Sequence, residues 1–90
     1  MRLRKKHFAI PEMRENPYVF FNGEENNGRW SEIFGNDNPI YLEIGAGKGT
    51  FTIESAKRNK DINYIMVDIE TNALIYATRK ILDEELTNVR

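Results

Sequence analysis

The 90-residue sequence contains no cysteine and only one histidine, His7. The missing thiols exclude disulfide scaffolds, thiolate metal sites and cysteine nucleophiles. A single imidazole does not build a zinc or iron cluster, so we expect no metal. No apolar run is long enough to cross a bilayer, and no apolar signal-peptide core follows the charged N-terminus. We therefore expect a cytoplasmic protein of one domain at most, with no membrane partner.

The sequence also has almost no excess of one charge over the other, since 13 basic and 14 acidic residues give a formal net charge of −1. The basic residues are nevertheless concentrated at the N-terminus, as Arg2, Arg4, Lys5 and Lys6, and Glu12 is the one acid among the first fourteen positions. A basic arm of this kind can contact the phosphates of a nucleic acid. The alternative is a solvated, disordered terminus.

Residues 1–39 hold few long periodic segments and are interrupted by three prolines. The stretch "GRWSEIFG" places Trp30, Ile33 and Phe34 on one helical face, with Gly35 as a C-cap, and predicts a short helix. "NPYVFFNG" is consistent with either a short apolar strand or a wedge. We interpret this part of the chain as an irregular N-terminal extension.

Residues 40–90 follow a different pattern, in which strands and helices alternate. "IYLEIG" predicts a strand, "TFTIESAKRN" a helix and "INYIMVD" a second strand, buried on both faces. "TNALIYATRKILDEEL" predicts the longest helix, whose apolar stripe consists of Leu74, Ala77 or Thr78, Ile81 and Leu82. This β-α-β-α order is the first half of a doubly wound α/β sheet.

The final residues "NVR" predict the start of a third strand. Two strands alone leave a sheet with two open edges and an incomplete helix layer. We therefore expect the chain to be the N-terminal part of a longer protein. A mature 90-residue homo-oligomer is the alternative.

A glycine motif lies between the first predicted strand and the following helix. Gly45, Gly47 and Gly49 are spaced G-x-G-x-G. A phosphate-binding P-loop needs Ser or Thr after the lysine, but Lys48 is followed by glycine; a dinucleotide fingerprint needs its third glycine one residue later. With Glu43 two residues ahead, the pattern resembles the first motif of Rossmann-like methyltransferases, which bind S-adenosyl-L-methionine.

A second carboxylate, Asp68, ends the second strand nineteen residues beyond Gly49. A carboxylate at this position can accept hydrogen bonds from both ribose hydroxyls of an adenosine. Alternatively, Asp68 caps the following helix and Glu43 is a solvated strand end. The combination of glycines and two acids favours the cofactor interpretation, with NAD as the competing ligand because it presents the same ribose.

The runs "MRLRKK", "FGNDNPIYLEIGAGKG" and "DINYIMVDIE" carry a narrower similarity. They resemble the N-terminal part of bacterial tRNA (guanine-N7-)-methyltransferases, and the similarity covers less than half of that family's length. It implies a Rossmann-like, S-adenosylmethionine-dependent fold with a seven-stranded sheet. The implied reaction is methyl transfer to N7 of a guanosine in the variable region of tRNA, with this chain supplying the cofactor-binding part.

Carried over by position, the resemblance assigns cofactor contacts to Glu43, Gly45, Gly47, Gly49 and Asp68. The family often has glutamate where Asp68 stands, so the shorter side chain would reach the ribose over a longer distance or through water.

The resemblance makes the basic arm a tRNA-phosphate contact. It places no catalytic residue in residues 1–90, because the substrate motif Asp-Pro-Trp-Pro-Lys-Lys lies beyond Arg90. The competing function is a non-catalytic fragment that binds S-adenosylmethionine or RNA.

Overall fold

The computed structural model describes residues 8–90. In chain order the elements are α1 (Ala9–Glu15), a 3-10 helix (Gly23–Asn26), α2 (Trp30–Phe34), β1 (Ile40–Ile44), α3 (Thr50–Arg58), β2 (Asn63–Val67) and α4 (Thr71–Glu84). The predicted β-α-β-α order is confirmed. None of the helices in this described part combines the length and the apolar character that crossing a bilayer requires.

The two strands form a parallel pair, as a partial Rossmann-like fold requires. Ile40 lies opposite Asn63 and Ile44 lies opposite Val67. The helices pack on the side that carries Tyr64, which leaves Leu42 and Ile44 on the other side 53% and 77% exposed. The predicted burial of β2 on both faces is therefore wrong at its carboxyl end, where Val67 is 43% exposed.

The predicted start of a third strand is confirmed along the second edge of β2. Val89 forms a parallel bridge with Tyr64. The Tyr64 amide donates to the Asn88 carbonyl at 2.7 Å, and the Met66 amide donates to the Arg90 carbonyl at 3.0 Å. Residues 88–90 thus extend the sheet in the order β1, β2, third segment.

The core between the helices and the sheet fixes which face of α4 is buried. One cluster contains Ile53, Ala56, Tyr64, Ile81, Leu86 and Val89. The predicted stripe on α4 is correct at Ala77, Thr78 and Ile81 but wrong at Leu82, which is 44% exposed, and it missed the fully buried Ile75. The buried face is turned toward Ile75 because a second helix covers that side of α4.

That second helix is α1, which the sequence pattern did not predict. Pro11 interrupts the apolar pattern but falls in the first turn, where its missing N–H has no helical partner to lose. Ala9 and Met13 are buried against Ile75. The short apolar contact, rather than helix propensity, holds α1 in place.

Polar contacts fix the position of α1 on α4. The Arg79 guanidinium donates through Nε and Nη2 to the two carboxylate oxygens of Glu12, at 2.7 and 2.8 Å. Just after α1, the Asn16 side-chain amide donates to the buried Thr78 carbonyl at 2.9 Å. The N-terminal extension is therefore tied to the middle of α4.

The rest of the extension contacts Arg90, at the end of the third segment of the sheet. Gly35 adopts φ 76° as the left-handed C-cap of α2, as predicted. Of the two alternatives for "NPYVFFNG", the short apolar strand is absent from the structure, which has turns there. The Arg90 guanidinium lies 4.9 Å from the Tyr18 ring centroid and 5.0 Å from that of Phe34, and burial lowers the pKa of Arg90.

Candidate cofactor-binding site

The glycine motif forms the loop between β1 and α3. Gly45, Gly47 and Gly49 have φ values of 79°, 61° and 72°, in the left-handed region that disfavours other residues. The Gly45 amide donates to the Val67 carbonyl at 2.7 Å, and Gly49 is the N-cap of α3, whose first residue is Thr50. The loop thus joins the carboxyl ends of both strands to a helix N-terminus, where backbone N–H groups favour anionic or polar ligand groups.

The three glycines meet different steric requirements. A Cβ on Gly49 would lie 2.7 Å from the Ala77 Cβ and 2.8 Å from the Met66 Sδ, both too close for real atoms. A Cβ on Gly45 or Gly47 would meet no atom within 4 Å. Gly49 is therefore required for packing α3 against β2 and α4, whereas the other two glycines leave open space at the loop surface.

Asp68 makes a direct contact with this loop. Its Oδ2 accepts a hydrogen bond from the Gly47 amide at 2.7 Å, and its Oδ1 accepts one from the Glu70 amide at 2.9 Å. The backbone donors of Glu70 and Gly47 hold the pKa of the Asp68 carboxyl below its ordinary value. The acid is therefore ionised at neutral pH and faces the centre of the glycine motif.

The N-cap of α4 is Glu70, whose side chain accepts a hydrogen bond from the Asn72 amide at 3.1 Å. The alternative interpretation of Asp68 as the helix cap is therefore wrong. Because the cap is provided by Glu70, the carboxylate of Asp68 remains directed at the loop.

Glu43 lies near the same end of the sheet. The last pair of the parallel ladder is Ile44 with Val67, so Glu43 precedes that pair on β1 and Asp68 follows it on β2. The Glu43 side chain is half-buried. The fold thus brings the two acids and the three glycines to the carboxyl edge of two neighbouring strands, where open α/β sheets bind ligands.

A cavity of about 600 Å³ opens beside the carboxyl end of β2. The walls are largely apolar, with Ile65, Val67 and Leu74 among the lining residues, and the charged residues in the lining are Glu24, Asp68 and Arg90. This size and composition suit a small-molecule ligand. Glu43 and the three glycines lie outside the lining, so Asp68 is the one predicted cofactor contact shared by the cavity and the glycine loop.

Aromatic residues of the N-terminal extension complete the cavity wall, including Phe20, Phe21 and Trp30. Sequence reasoning assigned Trp30 to the face of a short helix, and it left Phe20 and Phe21 out of the site because their stretch has no strand or helix periodicity. Their apolar clustering at positions 18–21 is the signal that was available.

Lys48 is a second feature that the motif comparison left unassigned. Its Nζ lies 5.4 Å from the centroid of the Tyr76 ring on α4. A cation over a ring face is attracted by the ring quadrupole, which orients the lysine along α4.

The residues present fit the donor and acceptor pattern of S-adenosylmethionine. A carboxylate offers about four acceptor positions, and the two backbone amides leave capacity on Asp68 for ribose hydroxyls. Gly45 and Gly47 present a surface without side chains, which allows close approach of a ligand. The predicted arm at Arg2, Arg4, Lys5 and Lys6 lies outside the described residues, and residues 8–90 contain no group of three or more metal-ligating side chains.

Comparison with known proteins decides the family. A family model described as "Putative methyltransferase" matches residues 37–90, which include both strands and the whole glycine loop. The chain belongs to this methyltransferase family. The Rossmann-like fold class predicted from the sequence is therefore confirmed at the level of the family.

Curated relatives of this methyltransferase family align with the entire chain. A tRNA (guanine-N(7)-)-methyltransferase of Streptococcus agalactiae serotype III (strain NEM316) is 50% identical over 91 residues, and one of Streptococcus pyogenes serotype M6 (strain ATCC BAA-946 / MGAS10394) is 47% identical. The alignment covers 100% of this chain but 43% of each relative. The chain thus spans less than half the length of the curated relatives that it matches.

Proposed function

We propose that this chain is the cofactor-binding part of a tRNA (guanine-N7-)-methyltransferase that uses S-adenosyl-L-methionine in the cytoplasm. The observation that carries the proposal is the 50% identity of the whole chain to a protein of that name. The contact between Asp68 and the glycine loop gives the cofactor assignment its structural support. Within this proposal, residues 40–90 are the first half of the cofactor domain and residues 1–39 are an extension that contacts tRNA.

S-adenosylmethionine, when bound, supplies an electrophilic methyl group on a sulfonium. Asp68 would accept hydrogen bonds from ribose hydroxyls, and Glu43 would provide a second carboxylate. Gly45 and Gly47, which have no side chains, would let the ligand approach the loop closely. N7 of guanine already carries a lone pair, so the chain does not have to remove a proton. Its contribution is to hold the methyl donor in a fixed position, so that N7 can attack the methyl carbon in line with the bond to sulfur.

The cofactor assignment is tested by calorimetry with S-adenosylhomocysteine. We expect Glu43→Ala and Asp68→Ala each to weaken binding about ten- to a hundredfold, because a hydrogen bond to a charged group contributes about 1.5–3 kcal/mol. Glu15→Ala is the matched control, since it removes an exposed carboxylate at the end of α1. Equal affinity in all three variants would refute the assignment, and tighter binding of NAD would favour the dinucleotide alternative.

The reaction is tested with unmodified tRNA and S-adenosylmethionine labelled in the methyl group. We expect label in 7-methylguanosine when the full-length protein is used. Cofactor binding without any transfer to tRNA would instead support a non-catalytic binding module. Label in another nucleoside would refute the proposed substrate atom.

The basic arm is tested by the salt dependence of tRNA binding. We expect a variant with alanine at Arg2, Arg4, Lys5 and Lys6 to bind more weakly and to lose a slope of roughly 3 in the plot of log affinity against log salt, since each phosphate contact contributes about 0.7–0.9. The control variant replaces Arg58 and Lys60, two exposed cations near the C-terminus of α3. An unchanged slope in the arm variant would show that the arm does not contact phosphate.

A further inference from the structure

Asp68 connects two segments that are far apart in sequence. Its carboxylate accepts the amide of Gly47, 21 residues earlier, and the amide of Glu70 at the start of α4. We propose that Asp68 is a positioning residue that holds the middle of the glycine loop, in addition to its assigned contact with ribose. The cofactor meaning of this role rests on the proposed function, but the contact itself belongs to the protein without ligand.

The other two glycines are held by different means. Gly45 is fixed through its amide to the Val67 carbonyl at 2.7 Å, and Gly49 is fixed by a turn bond to Ala46 and by close packing. Gly47 has a left-handed φ of 61° and open space around its Cβ position, so steric contact does not define its conformation. The bond to Asp68 is therefore the interaction that selects one loop shape at this position.

A carboxylate is needed for this arrangement because both of its oxygens are used. Asp68 presents one oxygen to each of two backbone donors, and each oxygen retains a further lone pair. An asparagine at position 68 would present one oxygen and one NH₂ group. One backbone amide would then face a donor, and the other would keep only a neutral amide oxygen, which is a weaker acceptor than a carboxylate oxygen, so the bond to Gly47 is weakened in either orientation.

This dual role makes the cofactor's ribose site and the loop one unit. A ligand that donates a hydrogen bond to Asp68 polarises the same carboxylate that accepts the Gly47 amide. Conversely, a displacement of the loop moves the backbone that borders the ligand. The position therefore controls the geometry of the motif as well as the affinity for one sugar.

The experiment measures backbone amide exchange by NMR in the protein without cofactor. The variants are Asp68→Asn and Asp68→Glu, with Glu70→Gln as the control that alters the α4 cap but leaves the Gly47 acceptor in place. We expect the Gly47 amide to exchange about tenfold faster or more in Asp68→Asn, to be unchanged in Glu70→Gln, and to be intermediate in Asp68→Glu. Equal Gly47 exchange in all four proteins would overturn the proposal.

A second measurement covers the case in which Asp68→Asn fails to fold. In the unaltered protein, the Gly47 amide proton shift should follow the protonation of Asp68 in acid, because the bond depends on the ionised acceptor. Glu70→Gln removes the carboxylate that is nearest in sequence, Glu43→Gln removes the one on the adjoining strand end, and the effect should persist in both variants. A Gly47 shift that does not move with acid would overturn the proposal.

These readouts separate the two ideas. If the unaltered protein bound no S-adenosylhomocysteine while its Gly47 amide still depended on position 68, the proposed function alone would be refuted. Normal binding with a Gly47 amide insensitive to position 68 would refute the positioning role alone.

Discussion

Replacing Gly49 by alanine is expected to destabilise the fold more than the same change at Gly47. Both residues have positive φ, 72° and 61°, and an alanine there costs about 1–2 kcal/mol. Only at Gly49 would the new Cβ also lie 2.7 Å from the Ala77 Cβ and 2.8 Å from the Met66 Sδ. Overpacking of this kind adds about 1–3 kcal/mol, so we expect Gly49→Ala to lower the free energy of unfolding by about 2–5 kcal/mol.

Urea unfolding followed by circular dichroism gives the two free energies. Gly47→Ala is the control for backbone conformation, because its Cβ meets no atom within 4 Å. Adding Ala77→Gly to Gly49→Ala removes one of the two short contacts, although glycine within α4 itself costs about 1 kcal/mol. The loss of unfolding free energy in the double variant should therefore be smaller than the sum of the losses in the two single variants. If Gly49→Ala cost no more than Gly47→Ala, the steric argument would be wrong.

Three further predictions concern contacts elsewhere in the fold and the ionisation of Asp68. Asn88→Asp should destabilise more than Asn88→Ala in urea unfolding, which would cost about 1–3 kcal/mol, because the buried Asn88 amide donates to three carbonyls that a carboxylate would repel. Arg79→Ala should cost much less than Ile75→Ala, because the pair of Arg79 with Glu12 is partly exposed, whereas Ile75→Ala should cost about 2–5 kcal/mol; a larger loss for Arg79 would reverse our ranking of the contacts between α1 and α4. Backbone donors lower the pKa of Asp68 in the folded protein, so its ionised carboxylate stabilises the fold at pH values above the unfolded pKa of about 3.9. This stability is lost as the pH falls through the pKa of the folded state. Acid unfolding of Asp68→Asn should therefore lack that part of the pH dependence.

The elements from α2 to α4 could be predicted because each has a local signal. Alternating apolar residues define β1, the glycine spacing defines the turn before α3, and Gly35 defines the end of α2. These signals depend on a few neighbouring residues, so they survive without knowledge of the tertiary structure. The parallel direction of β1 and β2 then follows from the crossover through α3.

Features that depend on distant contacts could not be predicted from local patterns. The burial of Ile75 instead of Leu82 is decided by α1, which contacts α4 across more than sixty residues of sequence. The difference between Gly49 and Gly47 likewise depends on Ala77 and does not appear in the motif spacing. The two acids were identified from their spacing, but the link of Asp68 to the loop amide required the folded geometry.

The pairing of Glu12 with Arg79 also bears on the order in which the chain folds. Those partners are 67 residues apart, whereas β1 pairs with residues 23 positions later and the helices form from neighbours. Closing the longer loop carries a larger entropic cost, and only one short helix compensates for it, through a small apolar cluster, one buried hydrogen bond and a partly exposed ion pair. We therefore expect α1 to dock late and to detach first, so that limited proteolysis should cut near residues 16–22 at denaturant concentrations that leave the β-α-β-α unit folded.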